Sequence, residues 1–573
     1  MKYRWQPRSE DNCKDKTHSI PGISEITSTV LANRGINTQE AASLFFSPGI
    51  SLMHSPLLFR DMKKASARVL RALDKKEKIM LCTDYDVDGC TSAAILYRAL
   101  IECGMQEDGI ILYQPSRTDE GYGFPRRAVD EAHASGASLI ITADLGISEA
   151  GTAEYSGNKG IDLIITDHHL PPAELPKALA IIDPHIEDCG YPFNGLSGAG
   201  TAFKLASAFC LEKYGSHPKF FNELIQLAAL GTVCDMMPMT GENRIITKAG
   251  FSIKRDSGFY NPGVAELQQI SGNSNNSLDV FTAGFQIGPR INALSRIEGD
   301  PAEATELLTS RDPVRIRKIA SRLEGINKKR RFIEQEYYRK AEKYLKDNPA
   351  AAEKKIIILA GKKWEKGICG LVAGRLSSRY YRPAVVLSDD GETMTASCRS
   401  IPGFDIHEAL LNSSDLFVKF GGHKQAAGFE IKTGKYEKLK EALYGYTESR
   451  LTPEQMVPLV IYDMNVRIAD ITRNVVEELL MLEPTGEKNP PPLFVCEGRL
   501  KDRFIMGRNR NHLKFILEDD SGTAECTAFG LAERAEELAY GAVVRSAFTP
   551  VINEYMGAKT VQFNTRVFEV VGP

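Results

Sequence analysis

The chain has few of the features that would place a protein outside the reducing cytosol. Its eleven cysteines are scattered singly without a CxxC pair, so the sequence predicts neither a zinc site nor a disulfide framework. No run of about 18 apolar residues is found, which argues against a transmembrane helix. The first residues, MKYRWQPRSEDNCKDK, lack the apolar segment of a secretory signal peptide. We therefore expect a cytoplasmic protein.

An excess of positive charge is also missing. Lys and Arg total 71 and Asp and Glu total 74, which leaves a net charge of −3 over 573 residues. A nucleic-acid partner would have to be bound by a local basic surface, because the net charge does not attract it. The length predicts roughly three or four domains.

What the chain does contain is a series of short apolar segments that end at acidic residues or histidines. They read IMLCTDYDVDG (79–89), LIITADLG (139–146), LIITDHH (163–169), AIIDPH (180–185) and, less cleanly, LAALGTVCD (227–235). The side chains brought to element ends are Asp84, Asp86, Asp88, Asp144, Asp167, His168, His169, Asp183 and Asp235. So many anionic and imidazole groups fit a pair of divalent cations, which predicts metal-assisted phosphoester chemistry.

Short apolar runs alternate with amphipathic helices from residue 62 onward. This alternation predicts βαβ units and a parallel sheet, and hence an α/β fold class. The predicted strands span 78–83, 109–114, 138–143, 162–166 and 179–182. In such sheets ligands bind beyond the carboxyl ends of the strands, which is where the acidic motifs fall.

Three further regions follow along the chain. A long helix is predicted after the Asp312 N-cap and Pro313, and its length suggests that it connects two domains. A second α/β pattern then leads to the glycine-rich GGHKQAAGF (421–429), and β-rich segments from 457 predict a small barrel such as an OB-fold. The predicted domains are an N-terminal arm (1–60), a catalytic α/β domain (61–310), the connecting helix (311–349), a second α/β domain (350–450) and the barrel (455–573).

The motif DYDVDG places three carboxylates at alternate positions just after a strand. Extended backbone puts them on one side, where like charges raise one another's pKa unless a cation neutralises them. Carboxylate oxygens favour Mg²⁺ or Mn²⁺, and the histidines of TDHH favour Mn²⁺. Asp144 is well placed to bridge two ions. A calcium-type or merely solvated acidic turn is the alternative reading of DYDVDG.

The ordered set DYDVDG, ADLG, TDHH and DPH, followed by GGHKQAAGF, resembles the DHH phosphoesterase superfamily, and within it the exonucleases specific for single-stranded DNA. The resemblance runs from about residue 60 to the end and includes PSRTDEGYGF (115–124), LSGAGTAFKL (196–205), GPRINALSRI (288–297) and WEKGICGLVAGRL (364–376). It implies a DHH domain with a parallel sheet, a long helix, a DHH-associated α/β domain and a C-terminal OB-fold that binds nucleic acid.

The resemblance also implies roles for individual residues. The implied metal ligands are Asp86, Asp88, Asp144, His168, His169 and Asp235, with Asp84 at their edge, and the same six residues together with His423 are the implied catalytic residues. His423 is implied to contact the phosphate that is cut, and Ser397 and Arg399 to hold a 5′-terminal phosphate. The implied substrate-binding set is Arg117, Arg290, Arg296, Ser397, Arg399, Gly421, Gly422 and His423. Taken singly, each arginine is more often a surface ion-pair partner, and the glycine-rich segment reads equally well as a tight turn.

The chain departs from the family pattern at three places. Cys82 stands where a histidine is common, Ser295 stands where glycine is usual, and EKG (365–367) replaces His-Pro-Gly after a tryptophan. None of these positions is an implied ligand, so the implied chemistry is kept while the placement of substrate is less defined.

The β-rich C-terminal part mixes basic and aromatic residues on presumed strands. The residues are Lys501, Arg503, Phe504, Arg508, Arg510, His512, Lys514 and Phe515. Such interleaving suits single strands, whose bases stack while Lys and Arg follow the backbone. The alternative is a structural barrel with an ordinary charged face. The basic stretch 328–331 on the long helix is interpreted as a solvated face.

The resemblance thus implies a 5′→3′ exonuclease that degrades single-stranded DNA to mononucleotides with two Mn²⁺ or Mg²⁺ ions, in DNA repair and recombination. The implied partners are single-stranded DNA, a helicase and a single-strand-binding protein, and we expect a monomer that does not bind membranes. Two alternatives remain. One is a DHH phosphodiesterase of short oligonucleotides or cyclic dinucleotides, and the other is a non-catalytic DNA-binding scaffold, which the complete ligand set disfavours.

Overall fold

The computed structural model describes residues 2–9, 19–117, 119–555 and 557–572. The chain forms two compact units, which we call the larger unit (49–452 with 486–488) and the barrel unit (1–48, 453–485 and 489–573). The N-terminal segment contributes β1 (Arg4–Pro7), α1 (Glu25–Ala32) and α2 (Gln39–Phe46) to the barrel unit. The residues predicted as an N-terminal arm are therefore divided between the two units, and the predicted domain boundaries stay a prediction.

The first α/β region of the larger unit is built around a parallel sheet. Its elements are α3 (Met62–Lys75), β2 (Lys78–Thr83), α4 (Val87–Glu102), β3 (Ile110–Tyr113), α5 (Arg126–Ala134), β4 (Ala137–Ala143), α6 (Ala150–Asn158), β5 (Asp162–Thr166) and β6 (Ala180–Ile182). The strand order is β3-β2-β4-β5-β6, and all neighbours are parallel, as predicted. Apolar side chains on both faces are buried under helices, which explains the continuous apolar runs of the strands. The winding direction changes between β2 and β4, so a ligand crevice is expected beyond their carboxyl ends.

Helices lead from the first sheet to the second. They are α7 (Gly198–Tyr214), α8 (Phe221–Cys234), α9 (Gly241–Ser252), α10 (Pro262–Ile270), a π-helix (Thr282–Ile287), α11 (Gly288–Ile297), α12 (Ala302–Thr309), α13 (Pro313–Asp347) and α14 (Pro349–Ala352). The N-terminus of α13 is capped as predicted, because the Asp312 carboxylate accepts a hydrogen bond from the Val314 N–H at 2.9 Å. Its apolar side chains join the core of the first region up to Ile326 and that of the second region from Ile333. Helix α13 therefore spans the two α/β regions.

The second α/β region has a mixed sheet. Its elements are β7 (Ile357–Lys362), α15 (Lys366–Tyr380), β8 (Ala384–Asp389), β9 (Thr393–Arg399), α16 (Ile406–Leu411), β10 (Phe417–His423), β11 (Ala426–Lys432) and α17 (Tyr436–Arg450). The strand order is β10-β11-β9-β8-β7, with β7 parallel to β8 and the other pairs antiparallel. The glycine-rich segment is a β-hairpin in which His423 pairs with Ala426, so the turn between them has two residues.

The C-terminal strands close into a barrel. The elements are β12 (Leu459–Tyr462), β13 (Met464–Asn465), α18 (Arg473–Leu480), β14 (Phe494–Met506), β15 (His512–Asp519), β16 (Gly522–Ala528), β17 (Val543–Tyr555) and β18 (Ala558–Gly572). Strands follow the order β14-β15-β16-β18-β17, and β17 pairs back with β14. Outside the barrel, β1 pairs in parallel with β12. The closed five-stranded order confirms the predicted OB-type barrel.

Two expectations about the whole chain can be compared with the described residues. None of their helices is long and apolar enough to cross a membrane. Their cysteines are free thiols, and all but Cys234 are buried. The structure thus gives no disulfide to the part of the chain that it describes.

Candidate metal centre and phosphate pocket

The acidic motifs meet at the carboxyl edge of the first sheet. Asp84 directly follows β2, Asp144 follows β4, and His168 lies just beyond β5. All three side chains are buried. Asp144 has a φ of 64°, a left-handed backbone that aspartate adopts more readily than most residues. The parallel sheet therefore gathers groups that are far apart in sequence.

Helix α4 begins at the same edge and adds two carboxylates. Asp86 is its N-cap and accepts hydrogen bonds from the N–H groups of Asp88 (2.9 Å) and Gly89 (3.1 Å). Asp88 accepts from the N–H groups of Gly198 (2.7 Å) and Ala199 (3.0 Å), at the N-terminus of α7. Burial, and then the charge of Asp86, raises the pKa of Asp88 to about 7, although the backbone donors oppose the shift. Two helix N-termini thus hold these carboxylates in place.

The imidazole of His168 is the geometric centre of the cluster. Its Nε2 lies 3.0 Å from the Asp144 Oδ1, 3.7 Å from the Asp235 Oδ2 and 3.8 Å from the Asp88 Oδ2. Burial lowers the pKa of His168 to about 3, so its ring is neutral and can act as a ligand. Asp235 caps the C-terminus of α8, which explains why the strand-end pattern pointed to it less clearly.

Asp167 orients the neighbouring histidine. Its buried carboxylate accepts hydrogen bonds from the N–H groups of Ile147 (2.9 Å) and His168 (2.8 Å), and lies 2.8 Å from the His169 Nδ1. Burial alone would raise the pKa of Asp167, but these hydrogen bonds and the charge of His169 outweigh burial and lower it. The same pairing overcomes the effect of burial on His169 and raises its pKa to about 9. His169 is therefore protonated in the metal-free protein, and its ring can bind a metal only after it loses a proton.

The cluster fits divalent cations. Burial, followed by the charges of neighbouring carboxylates, raises the pKa of Asp84 and Asp144 well above the usual range and that of Asp235 to about 8. One oxygen of Asp84 is buried without a hydrogen-bond partner among the described residues. Three donor sets have their atoms within 4.8 Å of one another, namely Asp144–His168–His169, Asp88–His168–Asp235 and Asp84–Asp86–Asp144. Carboxylate and imidazole donors suit Mn²⁺ or Mg²⁺, and two of the sets share Asp144, as a bridging ligand would require.

Three glycines permit this close approach. A Cβ atom on Gly198 would lie 2.5 Å from the Asp144 Cβ, and one on Gly231 would lie 2.5 Å from the Asp88 Oδ1. A Cβ on Gly89 would lie 2.2 Å from the Asp84 carbonyl oxygen. Sequence reasoning did not assign these glycines to the site, although each belongs to a motif that carries the family resemblance.

Tyr122 is a further site residue that the sequence did not single out. Its hydroxyl lies 3.0 Å from the His169 Nδ1 and donates to the Asp144 carbonyl oxygen at 3.3 Å. The ring is half-exposed, so it borders the opening of the site.

Asp183 differs from the other strand-end carboxylates. It accepts a hydrogen bond from the His185 N–H at 2.8 Å and belongs to none of the three donor sets.

Beside the carboxylates lies a cluster of arginines. Arg296, at the end of α11, donates to the Gly367 carbonyl oxygen at 3.3 Å and so contacts the second α/β region. Burial, followed by the positive charges of Arg117, Arg330 and Arg399, lowers its pKa to about 10. The charge of Asp86 has the opposite effect on the pKa of Arg296, and Arg296 lines one cavity with Cys234, the chain neighbour of Asp235. A partly buried group of cations at this position suits an anion such as phosphate.

The predicted pair on β9 faces this cluster. Ser397 and Arg399 are two residues apart on the strand and share one face. A Cβ on Gly370 would lie 3.2 Å from the Arg399 Nη2 and 3.5 Å from the Ser397 Oγ, so this glycine leaves room for both. Arg117 stacks over the Tyr85 ring at 5.0 Å.

The remaining predicted substrate residues lie outside this cluster, although Arg290 and Arg330 line one groove. Arg290 is buried, its Nε lies 2.8 Å from the Glu324 Oε2, and its Nη1 donates to the Gln286 carbonyl oxygen, so the structure gives it an ion-pair partner on α13. Gly421, Gly422 and His423 are exposed at the end of β10. Among the described residues, His423 has no side-chain hydrogen bond or ion pair with any implied metal ligand. The roles implied for these four residues stay predictions.

Comparison with known proteins identifies the family. Three family models match: the DHH family, N-terminal domain over residues 78–232, the DHHA1 domain over 353–449, and the RecJ OB domain over 462–566. The single-stranded-DNA-specific exonuclease RecJ of Bacillus subtilis is 35% identical over 98% of this chain and 70% of its own length. The chain belongs to the RecJ family. The Escherichia coli RecJ is 31% identical over 96% of both chains.

Solved RecJ structures agree with the fold. The crystal structure of RecJ in complex with Mn²⁺ from Thermus thermophilus matches with a TM-score of 0.83 and 26% identity, over all of this chain and 80% of that one. A second structure of exonuclease RecJ bound to manganese is 30% identical and matches with a TM-score of 0.59, over 70% of this chain and 97% of that one. The predicted arrangement of a DHH domain, a long helix, a DHH-associated domain and an OB-fold is confirmed.

A groove of about 630 Å³ in the larger unit lies beside the arginine cluster. It is lined by exposed Phe285 and Phe332 and by cationic side chains of α13 and α15, namely Lys328, Arg330, Arg331 and Arg375. A smaller cavity of about 140 Å³ shares Pro289 and Arg330 with it and contains Arg296. The basic stretch interpreted as a solvated face thus lines a groove that leads toward the arginine cluster.

In the RecJ-type barrel, β14 and β15 divide the predicted nucleic-acid residues into two classes. Phe504 is 47% exposed and pairs across the strands with Lys514, whereas Phe515 is fully buried in the barrel core. Alternation along β15 explains the difference, because successive side chains point to opposite faces. Lys501 and Lys514 form ion pairs with glutamates of the neighbouring strands. Phe515 is therefore a core residue rather than a stacking surface.

Proposed function

We propose that this protein is a 5′→3′ exonuclease that hydrolyses single-stranded DNA to mononucleotides in DNA repair and recombination. The observation that carries the proposal is the juxtaposition of a buried carboxylate cluster and a partly buried arginine cluster. One cavity of about 140 Å³ is lined by Arg296 and by Cys234, the chain neighbour of Asp235, and the pKa of Arg296 responds to the charges of Asp86, Arg117 and Arg399. A site that holds cations next to a site that holds a phosphate suits cleavage close to a strand end.

The residues that would hold two Mn²⁺ or Mg²⁺ ions are Asp86, Asp88, Asp144, His168, His169 and Asp235, with Asp84 beside them. When bound, the two ions activate water and stabilise the charge that develops on the phosphate oxygens. The protein contributes the fixed positions of these donors. Asp167 holds His169 by its Nδ1, the N-terminus of α7 holds Asp88, and Tyr122 borders the opening over His169.

The polarity is proposed to come from the arginine cluster. Guanidinium groups bind a terminal phosphate, which carries more charge than a phosphodiester, through charge-assisted hydrogen bonds. Ser397 adds a hydroxyl donor on the same face of β9 as Arg399. A strand whose 5′-phosphate occupies this pocket would present a nearby phosphodiester to the carboxylate cluster.

Single-strand specificity is supported by the groove and by the barrel. Unpaired bases can stack on exposed rings such as Phe285, Phe332 and Phe504 while neighbouring cations bind the phosphates. Paired bases do not offer their faces in this way. A phosphodiesterase of short oligonucleotides does not need such stacking surfaces outside its active site, and these surfaces therefore favour a longer single strand as the substrate.

The test is an end-labelled strand assay with Mn²⁺. A 5′-phosphorylated single strand, labelled at either end, is incubated with the protein beside a blunt duplex of the same sequence. We expect rapid release of mononucleotides from the 5′ end of the single strand and no degradation of the duplex. Release from the 3′ end would contradict the polarity, and rapid cleavage of dinucleotides with slow cleavage of long strands would favour the oligonucleotide alternative.

Two variants make the assay specific. Asp86→Ala removes an implied ligand, and activity should be lost. Asp130→Asn removes an exposed carboxylate on α5 that accepts a hydrogen bond from the Tyr155 hydroxyl and belongs to none of the three donor sets, and activity should be retained. Full activity in Asp86→Ala would favour the non-catalytic scaffold together with a contaminating nuclease.

The cellular setting is part of the same proposal. An enzyme restricted to single strands depends on another activity to open a duplex, so a helicase and a single-strand-binding protein are its expected partners in the cytoplasm. We propose that it acts as a monomer. Light scattering on the protein alone, and pull-down with a purified single-strand-binding protein, test these two points separately.

A further inference from the structure

Two cysteines of the larger unit lie in contact although they are 107 positions apart in the chain. The Cys103 Sγ is 3.7 Å from the Cys210 Sγ, a distance at which one thiol can donate a hydrogen bond to the other. Cys103 is the C-cap of α4, and Cys210 lies in the last turns of α7. Sequence spacing gave no indication of this pair, since the cysteines are scattered singly.

We propose that Cys103 and Cys210 are an oxidisable dithiol that forms an intramolecular disulfide when the protein meets a hydroperoxide. The sulfur atoms would have to approach by about 1.7 Å to reach the S–S bond length of about 2.0 Å. Rotation about the two side chains has to supply that movement without unfolding of either helix. The proposal concerns residues outside the metal centre and does not depend on the nuclease activity.

The surroundings favour Cys103 as the attacking thiolate. Its hydrogen bond with Cys210 lowers the pKa of Cys103, burial opposes this, and the Lys213 cation lowers it further. The same hydrogen bond raises the pKa of Cys210, and Cys103 is the more accessible of the two thiols, because it is 3% exposed and Cys210 is fully buried. Glu102 is the negative group nearby and acts against the thiolate. The pair is thus arranged as one nucleophile and one resolving thiol.

The pair lies close to the surface of the unit. Cys103 is 3% exposed, and the Tyr214 ring beside it is 44% exposed, with its hydroxyl donating to the Glu102 carbonyl oxygen at 2.8 Å. A small peroxide therefore needs only a local movement of this tyrosine to reach Cys103. Larger oxidants are expected to react more slowly.

The chemistry balances with the peroxide as the oxidant. The Cys103 thiolate attacks one peroxide oxygen, the O–O bond breaks, and the products are a sulfenic acid and hydroxide, which takes up a proton to become water. The Cys210 sulfur then attacks the sulfenic sulfur, its proton leaves with the departing hydroxide as a second water, and the S–S bond forms. The two thiols lose two electrons and two protons in total, and the peroxide is reduced to water.

The location gives the disulfide a structural consequence. The N-terminus of α4 carries Asp86 and Asp88, and the N-terminus of α7 donates two N–H groups to Asp88. Cys103 lies about 22 Å from Asp88 along α4, at 1.5 Å per residue. A cross-link would join the far ends of the two helices whose near ends hold an implied ligand, and it would close a long loop, which stabilises the folded state.

The test uses the full chain, fully reduced and then exposed to a small excess of hydrogen peroxide. We expect a mass loss of two hydrogens, a peptide map that joins the segments of Cys103 and Cys210, and a melting temperature about 5 °C higher that dithiothreitol reverses. The variants Cys103→Ser and Cys210→Ser should show none of these changes. Cys369→Ser, which replaces another buried thiol, should behave as the unchanged protein.

Several results would overturn the proposal. They are persistence of a sulfenic or sulfinic acid on Cys103 without the cross-link, cross-links that join other cysteines, or a Cys103–Cys210 bond that forms only in denaturant. Should a serine variant fold poorly, the double variant Cys103→Ala/Cys210→Ala takes its place. If the double variant still gains thermal stability on oxidation, a different pair is responsible.

Discussion

The larger unit contains a buried cluster of carboxylates and a partly buried cluster of arginines, and the two are held in different ways. The anionic cluster sits where strands and helices of the first region end, and backbone N–H groups of α4 and α7 support its carboxylates. The cationic cluster is assembled from a loop (Arg117), a helix end (Arg296) and a strand of the second region (Arg399). A rigid cluster of carboxylates suits small cations, whereas a cluster divided between two regions suits a larger anion that enters between them.

The largest expected effect comes from the bridging position of the anionic cluster. Asp144→Asn should lower exonuclease activity by about 10³-fold or more, the scale of losing a preorganised electrostatic group. The same change should raise the melting temperature of the metal-free protein at neutral pH, because Asp144 is ionised in the unfolded chain and the folded site disfavours its charge. Activity assays with Mn²⁺ and melting curves in EDTA measure both quantities.

The two readouts separate the cluster from an ordinary structural carboxylate. A destabilised Asp144→Asn protein would mean that the charge is compensated within the chain and that no cation is needed. Asp130→Asn is the matched control. Its activity should not fall, and its melting temperature should not rise.

The cationic cluster is probed by Arg399→Ala. Loss of a charge-assisted hydrogen bond worth about 1.5–3 kcal/mol should lower kcat/KM on a 5′-phosphorylated strand by about 10- to 100-fold. A strand with a 5′-hydroxyl lacks the group that the arginine holds, so its kcat/KM should fall much less. The ratio of the two values is the measurement.

Arg375→Ala is the comparison for that ratio. Arg375 lines the groove and stacks over the Tyr338 ring at 3.8 Å. Its loss should weaken both strands alike and leave the ratio near that of the unchanged protein. Equal effects of Arg399→Ala on the two strands would remove the basis for a terminal-phosphate pocket.

A smaller effect on activity is expected from Asp167, which contacts the implied ligand His169 and is not an implied ligand itself. Asp167→Asn keeps an oxygen for the Ile147 N–H but weakens the hold on His169, so apparent Mn²⁺ affinity should fall by about 10- to 100-fold. Added Mn²⁺ should restore most of the activity, which it should not do for Asp144→Asn. Titration of activity with Mn²⁺ measures the difference, and failure of rescue would make Asp167 a ligand itself.

The smallest expected effect concerns α13, the helix that spans the two α/β regions. Gly325 lies inside α13, and a Cβ there would meet nothing within 4 Å. Gly325→Ala should therefore raise the free energy of unfolding by about 1 kcal/mol and leave activity unchanged. Chemical denaturation measures the gain. Gly370→Ala makes the same substitution beside Arg399 and should instead lower the selectivity for a 5′-phosphate.

Much of the anionic cluster could be predicted from the sequence, because buried parallel strands appear as continuous apolar runs. The runs before Asp84 and Asp167 are buried on both faces, and their predicted bounds, 78–83 and 162–166, agree with the structure. Asp235 follows a helix, so the strand pattern gave little support for it, and only the family resemblance assigned it a role.

The rest depended on contacts between distant positions, which no local pattern records. Tyr122 reaches His169 across 47 positions, and the ion pair of Arg290 with Glu324 was not foreseen. The glycine-rich segment has the composition of a loop, yet strand pairing with β9 made it a hairpin. Tertiary neighbours, rather than local propensity, determined each of these outcomes.

The left-handed backbone of Asp144 restricts which amino acids can occupy this position. Residues other than glycine, asparagine and aspartate adopt such a φ at a steric cost, and glycine and asparagine lack the charge. The one residue type that satisfies both the backbone and the chemistry is the one present. A library with all twenty amino acids at position 144, selected for nuclease activity, should therefore return a single solution.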